Sequence, residues 1–103
     1  MSAPDKSQAQ TRRAVQILLT LAGHEVRGLR TSEVAKSIHC IASTTTRDLQ
    51  VLMDEGVVER VPDQADGWRL GPKLVQVAQA HVRGLARHRH ELDEIEQRHS
   101  RTP

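Results

Sequence analysis

A mainly α-helical domain closed by a small β-hairpin is predicted by three observations. Apolar residues recur at three- and four-residue steps in three successive segments before Gly56. The pattern then turns extended and β-branched through Val57, Val58 and Val61. At Gly71-Pro72 a helical pattern restarts and runs on through residue 99 with only Gly84 to interrupt it.

Residues 1–9 are small and polar and are predicted as a disordered lead-in, with the folded domain at residues 10–72. From Thr11, the spacing of Ala14, Ile17, Leu18 and Leu21 predicts an amphipathic helix that Gly23 stops. Arg12 and Arg13 then fall in its first turn, where the helix dipole disfavours positive charge; a phosphate partner would offset the cost, and two solvated arginines are an equal alternative. Gly28-Leu29-Arg30 is long enough only for a bridging strand. Thr31 or Ser32 offers an N-cap oxygen for a second helix that buries Val34, Ala35 and Ile38. His39-Cys40-Ile41 breaks the period. A third helix follows over Ser43–Glu55, with Leu49, Leu52 and Met53 inward, and Gly56 ends it. The segment Pro62–Gly67 has turn composition, and Trp68-Arg69-Leu70 returns as the second strand of the hairpin. Residues 73–99 are predicted as one long C-terminal helix, and residues 100–103 as a disordered tail.

Composition bounds the function. A chain of 103 residues suits one core. Hydrophobic residues make up 37% and Trp68 is the sole aromatic, so the base-stacking platform of single-strand binders cannot be assembled. The formal charge is +2 with a pI near 9.2, which permits a nucleic-acid partner without demanding one. One cysteine, Cys40, excludes an internal disulfide framework and fits a reducing cytoplasm. No apolar run approaches a membrane span, and no secretory pattern opens the chain, so a cytoplasmic, nucleoid-associated location is expected. There is no Gly-rich phosphate loop and no nucleophile motif, so the expectation is a non-enzyme without a cofactor.

Two short helices joined by a tight turn, the second polar on its outer side, form the unit that places a helix in the DNA major groove. That outer side is Ala42, Ser43, Thr44, Thr46, Arg47 and Gln50. Hydroxyls and amides at a helix start can meet phosphate or base edges, Arg can pair bidentately with guanine, and small residues allow close approach. Arg12, Arg30, Ser32, Arg60 and Arg69 are the candidate backbone contacts.

Four stretches together resemble the N-terminal DNA-binding domain of IclR-type transcriptional regulators. They are Gly28-Leu29-Arg30-Thr31-Ser32-Glu33-Val34-Ala35, Ser43-Thr44-Thr45-Thr46-Arg47-Asp48-Leu49, Glu55-Gly56-Val57-Val58-Glu59-Arg60 and Trp68-Arg69-Leu70-Gly71-Pro72-Lys73-Leu74. The resemblance covers residues 11–80. It implies a winged helix-turn-helix fold, with Ser43, Thr44, Thr46 and Arg47 opening the recognition helix and the Val57–Leu70 hairpin as wing. The sequence departs from that family at His39, where a glycine is usual, at Ile41, where a proline is usual, and at Asp48, where a leucine is buried. Asp48 is therefore expected to reach solvent or to pair with Arg47 or another nearby arginine. Asp63 and Asp66 at the wing tip argue against deep wing insertion. The family's effector-binding domain has no counterpart in these residues, so no small-molecule effector is expected.

Along the C-terminal helix, Leu74, Ala78, His81, Leu85, His88, Leu92, Ile95 and His99 follow the steps of a heptad seam diluted by histidine, or else of a helix that packs its first turns on the wing and frays later. Leu74, Ala78, Leu85, Leu92 and Ile95 are the candidate dimerisation residues. The basic block Arg83, Arg87 and Arg89 before the acidic block Glu91, Asp93, Glu94 and Glu96 suggests an antiparallel partner. His88 and His90 stand two apart and point to different sides of a helix, so no metal site is assigned. The reading is a homodimeric, sequence-specific binder of double-stranded DNA. A winged-helix adaptor for protein contacts and a non-specific architectural DNA binder are the alternatives.

Overall fold

Ile17 and Leu21, one helical turn apart, are both fully buried, and the rest of the molecule is organised around them. The computed structural model describes residues 6–100. In chain order the elements are α1 (Lys6–Leu21), β1 (Leu29–Arg30), α2 (Thr31–Ser37), α3 (Ala42–Asp54), β2 (Val58–Arg60), β3 (Gly67–Leu70) and α4 (Pro72–Ser100). Val34 of α2, Leu49 of α3, Val58 of β2 and Trp68 of β3 complete the core, and Leu18, Leu29, Ile38, Leu52 and Leu70 pack around it. Trp68 is its largest member. An indole buries about 150–250 Å², worth up to roughly 4–6 kcal/mol of transfer free energy at about 25 cal/mol per Å².

Several expectations are corrected. The helix begins at Lys6 rather than Thr11. Ser7, Gln8 and Gln10 are polar yet compatible with helix, so their polarity marks solvent exposure and not a break, and Ala9 between them is half-buried. Residues 1–5 and 101–103 of the two expected tails lie outside the described residues. With α1 starting at Lys6, Arg12 and Arg13 stand in its second turn, beyond the strongest part of the dipole. Met53 is exposed, and Thr45 takes the inward place, its hydroxyl donating to the Ile41 carbonyl at 3.0 Å. Neither Thr31 nor Ser32 caps α2. The N-cap residue is Arg30, whose N–H donates to the Glu33 carboxylate at 3.0 Å.

The turn between α2 and α3 is closed by two backbone bonds, His39 N–H to the Lys36 carbonyl and Cys40 N–H to the Ala35 carbonyl, at 3.3 and 2.9 Å. This pairing is the Schellman pattern, and it puts His39 in the left-handed region at φ 55°. The same pattern ends α3, where Gly56 takes that position at φ 81°. Cys40 beside this turn is half-buried.

The three strands form one antiparallel sheet in the order β1-β3-β2. Leu29 faces Trp68 across one side of β3, and Arg60 faces it across the other. Gly28, at φ 66°, makes this possible: a Cβ there would collide with the Trp68 carbonyl and lie 2.6 Å from Val61 Cγ2. Pro72 opens α4, as its missing N–H and fixed φ favour. Lys73 N–H donates to the Gly56 carbonyl at 3.2 Å, tying the helix start to the end of α3. No residue of α4 is buried, and only Leu74 and Gly84 are half-buried. The radius of gyration is 19.9 Å against roughly 13 Å for a compact domain of this length, because α4 projects from the core.

Candidate nucleic-acid interface

Ile41 precedes α3 at φ −77° and ψ 150°, a backbone that a proline also adopts, so this departure from the family pattern leaves the helix start intact. Ala42 and Ser43 are exposed, Thr44 and Thr46 are half-buried, and Arg47 and Gln50 are exposed. Leu49 and Thr45 point into the core. At 100° per residue, Ser43, Arg47 and Gln50 therefore share an outward stripe with Thr46 at its edge. The Thr46 hydroxyl donates to the Ala42 carbonyl at 2.9 Å, so its lone pairs are what it offers outward.

Thr44 stands apart from that stripe. With Arg47, Asp48, Val51 and Leu52 it lines a groove of about 350 Å³ whose other wall is Gln10, Arg13 and Ala14 of α1. At the floor, Arg13 Nε donates to Asp48 Oδ2 at 2.7 Å, with the two side chains 21% and 16% exposed. The hydrogen bond to Asp48 is the main cause that raises the Arg13 pKa above its ordinary value, against an opposing effect of burial. Asp48 thus pairs with a nearby arginine, and that arginine is Arg13. From the sequence Arg13 could equally have met a phosphate or solvent; its charge instead joins α1 to α3.

The remaining cations differ in their freedom. Among the described ion pairs none involves Arg12, Arg30, Arg47 or Arg60. Arg12 and Arg30 are exposed, as is Ser32. Arg12 does not line the groove between α1 and α3. Arg60 stacks its guanidinium 3.9 Å from the centroid of the Trp68 ring. Arg69 differs from Arg60: its Nε donates to Glu59 Oε1 at 2.8 Å, its direct cross-strand partner. At the wing tip, Asp66 is occupied as well. Thr31 Oγ1 donates to Asp66 Oδ1 at 2.7 Å and accepts from Trp68 Nε1 at 2.9 Å. Sequence reasoning missed this chain, since its members lie 35 and 37 positions apart. The one available signal was the lone indole, which when buried needs an acceptor.

On α4, Leu85, Leu92 and Ile95 are 59%, 61% and 44% exposed, and Ala78 is exposed too. His88 and His90 lie near Glu91 and Glu94 on the same helix. Among the described residues no group of three His, Cys, Asp or Glu could hold a metal ion, and no helix is long and apolar enough to cross a membrane.

Three packed helices, a bare hydroxyl, amide and guanidinium stripe on the third, and a short antiparallel hairpin beside it define a winged helix-turn-helix domain. Within that class, the chain belongs to the IclR helix-turn-helix domain family, whose model matches residues 10–62. Among solved structures, the chain is similar to an IclR transcriptional regulator from Alicyclobacillus acidocaldarius, with 29% identity and a TM-score of 0.61 over 70% of this chain and 29% of that one. HmgR of Pseudomonas aeruginosa shares the fold at 20% identity and a TM-score of 0.60, over 78% of this chain and 32% of that one. The homodimeric winged helix-turn-helix DNA-binding domain of Mb0332 from Mycobacterium bovis shares it at 23% identity and a TM-score of 0.52, over 84% and 90% of the two chains. The match thus takes in about a third of the length of the first two regulators. No curated protein matches the chain in sequence.

Proposed function

We propose that this domain binds double-stranded DNA sequence-specifically through α3 and acts in transcriptional regulation as a homodimer. The observation that carries the reading is the Ser43, Arg47 and Gln50 stripe, exposed among the described residues. Arg47, free of ion pairs among the described residues, supplies the bidentate donor for guanine, and Gln50 can do the same for adenine. Ala42 and Ser43 are small enough for the helix start to sit close to the groove floor, and Thr44 stands nearer the backbone. Thr46 accepts from a base amino group through its outward lone pairs. Arg12, Arg30, Ser32 and Arg60 hold the phosphates. Arg69 does so only with the guanidinium nitrogens that Glu59 leaves open.

Two such domains related by a two-fold axis would read half-sites about one helical turn, roughly 34–36 Å, apart or a multiple of it. The α4 stripe of Leu74, Ala78, Leu85, Leu92 and Ile95 is the proposed joining surface. Its support is the exposure of large apolar side chains on a projecting helix.

Selection of bound duplexes from a random pool at two salt concentrations tests the function. A shared motif enriched at both concentrations is the expected result. Uniform recovery that collapses with salt would replace it with non-specific binding, and no recovery at low salt would leave an adaptor role.

A further inference from the structure

We infer that Asp66 is a positioning residue for the wing: through Thr31 and Trp68 it holds the cation that Arg60 presents to the phosphate backbone. The inference rests on the DNA-binding reading above and deepens it. At first sight Asp66 is a liability, a carboxylate at the tip of an element meant to approach a polyanion. Its geometry says otherwise. Asp66 Oδ1 accepts the Thr31 hydroxyl proton at 2.7 Å. That proton fixes the Thr31 lone pairs toward Trp68 Nε1, which donates to them at 2.9 Å. The indole is fully buried and therefore cannot find this acceptor in water. With its nitrogen anchored, the ring is fixed in its plane, and Arg60 lies across its face at 3.9 Å.

Each link has a separate function. Thr31 is buried at the start of α2, so the chain joins the helix-turn-helix unit to the hairpin. Gly67 lies between Asp66 and Trp68 and pairs with Arg30 across β1 and β3, which keeps the tip short enough for the carboxylate to reach back. Arg60 is the direct cross-strand partner of Trp68 on the other side. A long, otherwise mobile guanidinium is thereby held before DNA arrives, and less conformational entropy is lost on binding.

Two substitutions at Asp66 separate this from simple repulsion. Asp66→Ala removes both charge and acceptor, whereas Asp66→Asn removes the charge and keeps an acceptor oxygen for Thr31. With a duplex recovered by selection, Asp66→Ala is expected to weaken binding three- to tenfold, and Asp66→Asn to bind at least as tightly as the parent. In an Arg60→Ala background, Asp66→Ala should change affinity less than twofold. If both Asp66 variants tighten binding alike, the residue only repels and the inference falls. It falls also if Asp66→Ala weakens binding equally with and without Arg60.

A readout without DNA keeps the two proposals apart. Trp68 is the sole Phe, Tyr or Trp residue and its ring lies 3.9 Å from the Arg60 guanidinium, so it dominates any ring-current shift on the Arg60 side-chain protons. In the free protein that shift should persist in Asp66→Asn and shrink in Asp66→Ala and Thr31→Val. An unchanged shift in Asp66→Ala overturns the inference whatever the DNA result. A failure of the parent to bind any duplex, with the shift behaving as stated, overturns only the DNA reading.

Discussion

Replacing Asp48 by leucine, the residue the family buries at this position, should destabilise this protein unless Arg13 is replaced with it. The Arg13 and Asp48 side chains are 21% and 16% exposed and meet at 2.7 Å. Exposed pairs contribute about 0.2–1 kcal/mol, and hydrogen bonds to charged groups about 1.5–3 kcal/mol. At this burial a coupling of about 1–2 kcal/mol follows. Asp48→Leu strands the guanidinium but adds apolar contact, for a net loss of about 1 kcal/mol. Arg13→Met leaves the carboxylate half-buried and alone, at a cost of about 1–2 kcal/mol. The double variant recovers to within about 0.5 kcal/mol of the parent or exceeds it, because a well-packed apolar pair replaces a desolvated ionic one. Urea unfolding followed by the emission of Trp68 measures all four proteins. With a slope of roughly 1–1.5 kcal/mol per molar for a domain of this size, Asp48→Leu should lower the midpoint by about 0.7–1 M. Strictly additive single effects would show that the pair does not join α1 to α3.

Gly28→Ala should abolish a folded population at room temperature, since its Cβ meets the Trp68 carbonyl at a positive φ; a cooperative thermal transition near that of the parent would contradict this. His39→Gly should stabilise by about 0.5–1 kcal/mol, the left-handed cost of a side chain at φ 55° outweighing glycine's unfolded-state entropy, as a raised urea midpoint would show. Leu85→Glu with Leu92→Glu should shift sedimentation toward monomer while leaving the Trp68 emission unchanged, because both side chains are exposed within one chain. Unaltered association would remove α4 as the joining surface.

The helices, the hairpin and the outward stripe of α3 were legible in the sequence because each rests on short-range periodicity. Ile17, Val34, Leu49 and Gly56 stand where their spacing places them. What failed were inferences in which polarity stood in for structure. Ser7, Gln8 and Gln10 are polar and helical, and Thr45 is polar and buried because its hydroxyl is satisfied within its own helix. Met53 sits close enough to the apolar edge of α3 to suggest burial, yet it is exposed. The ion-pair partners of the arginines were not legible for a different reason. Arg13 and Arg69 looked like free cations because their partners, Asp48 and Glu59, are 35 and 10 positions away. Only the packing of α1 on α3 and the register of β2 on β3 bring them together. The same is true of Asp66, whose role is set by an indole and a hydroxyl that no local pattern connects.

The central claim is that the bare side of α3 meets the duplex, and amide-resolved NMR titration of the full chain with a selected duplex tests it most directly. The largest shifts should fall on Ala42 through Gln50, with a second group at Arg60 and the start of α2. Shifts confined to α4, or none on α3 at saturating duplex, would contradict it.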